Sequence, residues 1–372
     1  MPPTRLRRAG AAPPGDLPED RVDHARFRGR SARGVLEVRT GPDALEAVEK
    51  EGFWAVVASF EGAVVAVRYA EVASASPPQS TRQRVPPDLH RTDWAPLTGR
   101  WHTSLGRAAY VTAVGEVRER IAAGTVYQVN VCRVLSHRID HDADLDALDL
   151  LVRQGNPSPY GARVRCAAAG LDVVSASPEL FLARRGDRLE TRPIKGTAVI
   201  PDDLLDKDHA ENVMIVDLMR NDLCRVCRPG SVSVEALCAV EQHPGLVHLV
   251  SRVCGRLRPG TSWADIVAAT FPPGSVSGAP KSSALAAIRD LEPTPRGPYC
   301  GAIGWIDAER GEAELAVGIR TFWAEDGRDG RRWLRFGTGA GITWHSDPQR
   351  EWRETQLKAG RLVGLASGRV SG

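Results

Sequence analysis

Residues 53–72 read "FWAVVASFEGAVVAVRYAEV". Two runs rich in valine and aromatics flank Glu61-Gly62, which predicts a β-hairpin: side chains suited to a pleated surface on either side of a tight turn. "TAVGEVRERIAAGTVYQVNVCRVLSH" (112–137) begins with helical spacing at Val114, Val117 and Ile121. It breaks at Gly124 and continues as a strand through Val126, Gln128, Val131 and Arg133. Further strands are expected across 161–200, at "SVSVEAL" (231–237) and through 299–344. Helices are expected near 203–223, 244–254, 262–270, 280–291 and 348–365. Strands thus cluster instead of alternating with helices. That predicts an α+β fold: a single large domain with two antiparallel β-sheets packed in the core and helices outside, not a doubly wound nucleotide-binding sheet.

Composition narrows the class. Of 372 residues, 42% are hydrophobic and 26% charged, an ordinary globular balance. A net charge of +3, with no basic stripe interleaved with aromatics, argues against a nucleic-acid partner. No apolar run reaches the length of a membrane span, and the N-terminus lacks the apolar core of a signal peptide. Seven cysteines cannot form a complete disulfide set, which points to a reducing, cytoplasmic location. Residues 1–33, rich in Pro, Arg and Ala, are expected to form a flexible tail. Residues 34–372 show no second linker and no repeat, so one continuous domain is expected there.

Several stretches could carry chemistry. In "RPIKGT" (192–197), Lys195 sits between Ile194 and Gly196 at the expected end of a strand, an unusual place for a solvated amine. "DKDHAENVMIVDLMRND" (206–222) sets Asp208 and Glu211 one helical turn apart. "DPQREWRETQLKAGRLVGL" (347–365) sets Glu351, Glu354 and Lys358 at i, i+3 and i+7. Such carboxylates could meet around a hard cation such as Mg2+, or pair with lysines on helix surfaces. "FPPGSVSGAPKSS" (271–283) is not a P-loop, because Ala279-Pro280 separate the glycine from Lys281. It suits a Gly/Ser loop that offers backbone N–H groups and the Ser275 hydroxyl to an anion. "GTGAGITW" (337–344) reads as a second glycine-rich stretch between strand and helix. Arg320, expected within a strand between apolar neighbours, needs an anionic partner. Cys224, Cys227, Cys238 and His243 are spaced faintly like a zinc site, although the first two fall at a helix end. His248 has the setting of a satisfied core histidine.

Taken together, "YQVNVCRVL", "SASPELFL", "RPIKGT", "HAENVMIVDLMRNDL", "HPGLVHLVSRV", "FPPGSVSGAPK", "GPYCGAIGWID", "GIRTFW", "GTGAGITWHSDP" and "EWRETQLKAGRL" resemble the chorismate-utilising enzymes, in that family's order and across about residues 105–365. The family includes anthranilate synthase component I, aminodeoxychorismate synthase component I, isochorismate synthase and salicylate synthase. The resemblance implies the anthranilate synthase component I fold, with the N-terminal portion shortened. It implies Mg2+ held by Glu211 and Glu354, with Asp208 and Glu351 close behind, and the ring carboxylate of chorismate on the metal. Arg320, Tyr299 and the backbone around Gly339 and Gly341 would take the enolpyruvyl carboxylate. His248, Ser275, Lys358 and Gln128 also fall on substrate-site positions.

Within that family, "PIKGT" discriminates. Anthranilate synthases typically carry alanine where Lys195 stands, and isochorismate and salicylate synthases carry a lysine base where Gln128 stands. An amine at 195 and none at 128 is the pattern of aminodeoxychorismate synthase component I, in which the lysine is a nucleophile and Glu179 the general acid. The implied reaction converts chorismate and ammonia to 4-amino-4-deoxychorismate, toward para-aminobenzoate and folate or a related aromatic amine. At its ordinary pKa, under ~0.1% of such a lysine is neutral at pH 7, so the site must depress it. The stretch between "PIKGT" and "HAEN" is short for the family. No cysteine has the setting of a glutaminase nucleophile, so ammonia is expected from a separate glutamine amidotransferase subunit. The alternatives are an anthranilate or aminodeoxyisochorismate synthase, or a silent subunit that docks an amidotransferase.

Overall fold

The computed structural model describes residues 22–74, 94–198, 200, 206–243 and 246–369, without the side chains of 197, 198, 206–208, 243 and 246. The valine-rich stretch 53–72 forms the hairpin its pattern predicts. Strand β3 (Phe53–Ala58) pairs antiparallel with β4 (Val64–Ser74), with the turn at Glu61-Gly62. From it a sheet extends on both sides. On one side lies β2 (Arg30–Thr40). On the other, in order, come β15 (Ala302–Asp307), β16 (Glu312–Val317), β9 (Leu180–Arg185), β10 (Arg188–Arg192) and β13 (Leu246–Arg256). Strand β11 (Ile194–Ala198) continues β10 along one edge of β13, and β12 (Ser233–His243) takes the opposite edge.

The second sheet is built on the longest ladder described, β6 (Gln128–Ile139) against β18 (Arg332–Ile342). It continues through β17 (Thr321–Asp326), β8 (Leu171–Ser177) and β7 (Tyr160–Cys166), with the short strands β5 (His102–Thr103) and β14 (Gly278–Ala279) on β6. Strand β1 (His24–Phe27) pairs with both β7 and β2, so the two expected sheets are joined into one hydrogen-bonded network. This corrects part of the expected tail. Ala25 and Phe27 are buried, and β1 and the start of β2 lie within residues 24–33. Residues 1–21 lie outside the described residues.

Helices cover the sheets. Helix α4 (Asp206–Cys224) packs on β11, β12 and β13, and α7 (Pro348–Ala366) packs on β18. Around α7 lie α2 (Arg107–Ala122) and α3 (Leu145–Gly155), while α6 (Lys281–Leu291) covers β6. The short α1 (Pro42–Ala47) and α5 (Trp263–Thr270) complete the set. Several starts are written in the sequence. Asp347 caps α7 through the Arg350 N–H, and Ser262 and Asp265 form a reciprocal capping box on α5. Ala359, Leu362 and Ala366 bury the α7 face against Leu334, Phe336 and Phe322 of the sheet. The helix expected at 244–254 is instead β13: Val247, Leu249 and Val253 are buried, and pairing with strands on both sides overrides the helical reading of this short apolar run.

Candidate active site

Helix α4 packs on β11, β12 and β13 and α7 on β18, and Lys195, Glu179 and Ser275 come together between the sheets. Glu179 lies between β8 and β9 and is buried. Its backbone is fixed on both sides: the carbonyl accepts from Val317 N–H at 3.0 Å, and Ser177 Oγ accepts from its N–H at 3.3 Å. Lys195 lies on β11, half-buried, and its Nζ donates to the carbonyl oxygen of Ser275 at 3.2 Å. That same oxygen accepts from Asn130 Nδ2 of β6 at 3.1 Å. The Ser275 carbonyl therefore ties a lysine of one sheet to an asparagine of the other.

Burial shifts the two titratable groups in opposite directions. Burial pushes the Glu179 carboxyl up to about 7, against the downward pull of the Ser275 hydroxyl, the Lys195 charge and the Ile194 N–H. Burial pushes the Lys195 amine down from its ordinary value, opposed chiefly by Glu211, then Glu179 and more weakly Glu354, while Lys358 adds to the depression. Glu211 of α4 and Glu354 of α7 both act electrostatically on that one amine.

The second glycine-rich stretch is part of β18, not a loop before a helix. Its glycines are there because the strand face is occupied. A Cβ on Gly341 would lie 2.3 Å from Nε2 of Gln128, and one on Gly337 would enter the Tyr299 ring at 1.9 Å. Gln128 is fully buried, and both atoms of its amide lack a hydrogen-bond partner among the described residues. Unpaired polar atoms of that kind are costly unless a ligand answers them. Tyr299 is buried with its hydroxyl 4.0 Å from Cys132 Sγ, and burial pushes its pKa well up. His248, on β13, is buried. Ser275 sits in a one-turn helix at 274–276, followed by β14 and then α6 with Pro280 at its cap, as the loop-to-helix reading anticipated.

Arg320 is not within a strand. It occupies the link between β16 and β17 with φ +52°, a left-handed conformation that a non-glycine residue seldom adopts. Its carbonyl accepts from Ala176 N–H at 3.0 Å.

The candidate metal ligands fit Mg2+ as a sparse set. Glu351 is buried and accepts from Ser346 Oγ at 2.7 Å, while Glu354 is paired with Lys358 at 2.6 Å. The i,i+4 salt bridge on the helix surface is therefore present. Asp208 is in α4, but its side chain lies outside the described residues. No group of three or more His, Cys, Asp or Glu side chains gathers around one point among the described residues. Carboxylates contributed by two helices are the ligand type that suits an ion that keeps waters and takes a substrate anion. The faint zinc spacing finds no support, since Cys224 is exposed, Cys227 is buried, and the side chain of His243 lies outside the described residues.

Residues not singled out beforehand also hold the site. Lys281 Nζ donates to Asp222 Oδ2 at 2.7 Å and to the Thr270 carbonyl at 2.8 Å, tying α6 to α4. Arg133, buried and without a carboxylate among its hydrogen-bond partners, binds Thr355, Gln356 and Thr103 and lies 4.3 Å from the Trp352 ring, fixing α7 on the sheet. Arg133 lies in "YQVNVCRVL", where its charge among apolar residues was the available signal.

A family model described as chorismate binding enzyme matches residues 54–364. The chain belongs to that family. It is 42% identical over 274 residues to anthranilate synthase component 1 of Haloarcula marismortui, covering 69% of this chain and 53% of that one. It is 35% identical over 296 residues to aminodeoxychorismate synthase component 1 of Bacillus subtilis, covering 76% of this chain and 59% of the other. The chain thus spans about half the length of such curated relatives. The crystal structure of anthranilate synthase component I from Streptococcus pneumoniae shares the fold, with TM-score 0.73 at 22% identity, covering 96% of this chain and 95% of that one. As in the family fold, the antiparallel sheets lie inside and the helices outside. No helix among the described residues is long and apolar enough to cross a membrane.

Proposed function

We propose that this chorismate-binding enzyme converts chorismate and ammonia to 4-amino-4-deoxychorismate, the reaction that its relative from Bacillus subtilis is named for. The observation that carries the reading is Lys195, anchored by the Ser275 carbonyl in the same buried site as Glu179. Their environments push the two pKa values toward each other, which favours a neutral amine and a protonated acid at the same pH.

In this reading the Lys195 amine attacks C2 of the ring. The ring double bonds shift as the C4–O bond breaks, and Glu179 gives its proton to the departing hydroxyl, which leaves as water. Ammonia then adds at C4, the electrons return, and the C2–N bond to Lys195 breaks. The Glu179 carboxylate takes the proton that the new ammonium sheds, so lysine and acid are both restored. Glu211 and Glu354 would hold Mg2+, with Asp208 and Glu351 near them, and the metal would neutralise the ring carboxylate. Arg320 and Tyr299, with the backbone at Gly339 and Gly341, would orient the enolpyruvyl carboxylate. Lys358 donates to the Gly339 carbonyl at 3.2 Å and would help to fix that backbone. Gln128, Ser275 and His248 would line the ring. Ammonia would come from a separate glutamine amidotransferase, and a cytoplasmic location fits seven free cysteines.

Anthranilate synthase is the second reading, favoured by the 42% identity to a relative of that name. It requires the new amine at C2, where Lys195 would stand. Purified chain incubated with chorismate, Mg2+ and ammonium salt separates the two. The expected product by mass spectrometry is 4-amino-4-deoxychorismate with its enolpyruvyl group intact. Anthranilate and free pyruvate would support the second reading instead.

A further inference from the structure

An ion pair is buried behind Ser275. Glu292 and Arg296 lie in the link between α6 and β15, with side chains 6% and 1% exposed, and pair at 2.6 Å. The contact is bidentate, because Arg296 Nε also donates to the second Glu292 oxygen at 2.8 Å. Stability alone does not demand a pair so deep, since two apolar side chains of similar volume would serve the core as well. Its remaining hydrogen bonds point to another role. Arg296 Nη1 donates to the Val276 carbonyl at 2.9 Å and Nη2 to the Asn130 carbonyl at 2.9 Å. Glu292 accepts from the Cys132 N–H at 2.8 Å.

Those partners belong to the two elements that meet at Ser275. Val276 follows it in the one-turn helix 274–276, and Asn130 and Cys132 are on β6. Asn130 in turn donates through Nδ2 to the Ser275 carbonyl at 3.1 Å and through its N–H to the Ser277 carbonyl at 2.9 Å. One guanidinium therefore ties the helix to the strand, with Ser275 at the junction. Helix α4 closes another side: a Cβ on Gly274 would lie 2.4 Å from a methyl of Leu218. Arg296 is itself held by the β3–β4 turn. Its N–H donates to the Glu61 carboxylate at 2.7 Å, and its guanidinium carbon lies 4.2 Å from the centre of the Phe60 ring.

We propose that Arg296, with Glu292 as its counter-ion, is a positioning residue for the reaction: it fixes the 274–276 helix against β6 so that Ser275 meets Lys195 and Glu179 in the reacting geometry. The proposal rests on the Lys195–Glu179 reading above and deepens it. Arg296 acts on the site through Val276 and Asn130. A shift of the helix by about 1 Å would break the 3.2 Å hydrogen bond from Lys195, and a misplacement of that size can slow a chemical step about 100-fold. Lysine is no equivalent, because a single ammonium lacks the planar fork that reaches both carbonyls and the carboxylate.

The test uses Arg296→Lys, which keeps the charge, and the double variant Arg296→Met with Glu292→Leu, which leaves no lone buried charge. For each, kcat and KM for chorismate are measured across pH with Mg2+ and ammonium salt, beside urea denaturation. Both are expected to lower kcat by about 10–100-fold while KM stays within about threefold, because other residues hold the substrate carboxylates. The limb of the pH profile set by Glu179 should also move to lower pH, since water admitted at Ser275 returns that carboxyl toward its ordinary value. A folded variant with wild-type kcat and profile overturns the proposal. Loss of kcat and of substrate affinity together, with the profile unmoved, also overturns it, because that pattern means general damage. If neither variant folds, amide exchange in wild type decides. Asn130 and Cys132 amides that exchange only on global unfolding support the proposal, and fast exchange at either overturns it. If wild type makes anthranilate, the functional reading fails separately, and the same comparison is read in anthranilate formation.

Discussion

The Lys195 amine donates to the Ser275 carbonyl oxygen at 3.2 Å, and the hydroxyl of that same serine lies beside the Glu179 carboxyl. Ser275 therefore stands next to both a buried amine and a carboxyl that burial lifts to about 7. Ser275 can do so because it belongs to a buried one-turn helix whose carbonyl is also held by Asn130.

The pH dependence follows from that pair. Glu179 must carry its proton while Lys195 is neutral, so the group that burial lifts to about 7 sets one limb of the profile and the depressed lysine sets the other. A bell-shaped profile of kcat/KM with ammonia in excess is expected. Glu179→Gln should cost at least ~100-fold at the optimum.

Stability responds in the opposite sense for the same variant. The folded-state pKa of Glu179 is raised, so the folded chain binds a proton that the unfolded chain has lost between about 4.5 and 7. Wild-type stability should decline across that window as pH rises. Glu179→Gln removes the penalty, so its stability relative to wild type should improve by on the order of 3 kcal/mol between pH 4.5 and 8. Urea denaturation at the two pH values measures the difference, and a constant difference would show that Glu179 is not charged at a cost.

Glu354 is shared. Lys358 pairs with it at 2.6 Å, so a metal must compete with that ammonium for the carboxylate. Lys358→Met should therefore tighten Mg2+ binding to the free chain, measured by calorimetry, whereas Glu211→Gln and Glu354→Gln should each weaken it strongly. The two glutamine variants should lose activity by orders of magnitude, and chelation followed by dialysis should abolish wild-type turnover.

The pair Lys281–Asp222 ties α6 to α4 at 2.7 Å, with Asp222 buried. Lys281→Met alone leaves a buried carboxylate without its partner and should destabilise the chain by about 3–5 kcal/mol. Lys281→Met combined with Asp222→Leu should recover much of that loss in the same denaturation assay. If the double variant is no better than the single, the pair is not an isolated charge problem.

Much of this molecule was legible because its signals were local. The 53–72 hairpin, the helices around 211 and 354, and the turn before Pro280 each follow from spacing and punctuation within a few residues. What was not legible depended on partners far along the chain. Residues 246–256 have the apolar content of either element, and pairing with β10, β11 and β12 decides for a strand. Residues 24–27 looked like a tail because four residues bury little, yet β7 and β2 lie on either side of them. The glycines at 337 and 341 suggested a loop, while in the fold they clear a strand face for Tyr299 and Gln128.

The central claim is that Lys195 bonds covalently to the substrate ring. The most direct measurement is peptide mass analysis of protein trapped with chorismate and Mg2+ in the absence of ammonia, run in parallel on wild type, Lys195→Ala and Lys195→Arg. The account predicts a chorismate-derived mass increase, less one water, on the wild-type peptide that contains residue 195, and on neither variant, because a guanidinium stays protonated and cannot attack. An unmodified wild-type peptide, together with near-normal turnover of ammonia and chorismate by Lys195→Arg, would contradict it and leave Lys195 as a positive charge beside the substrate.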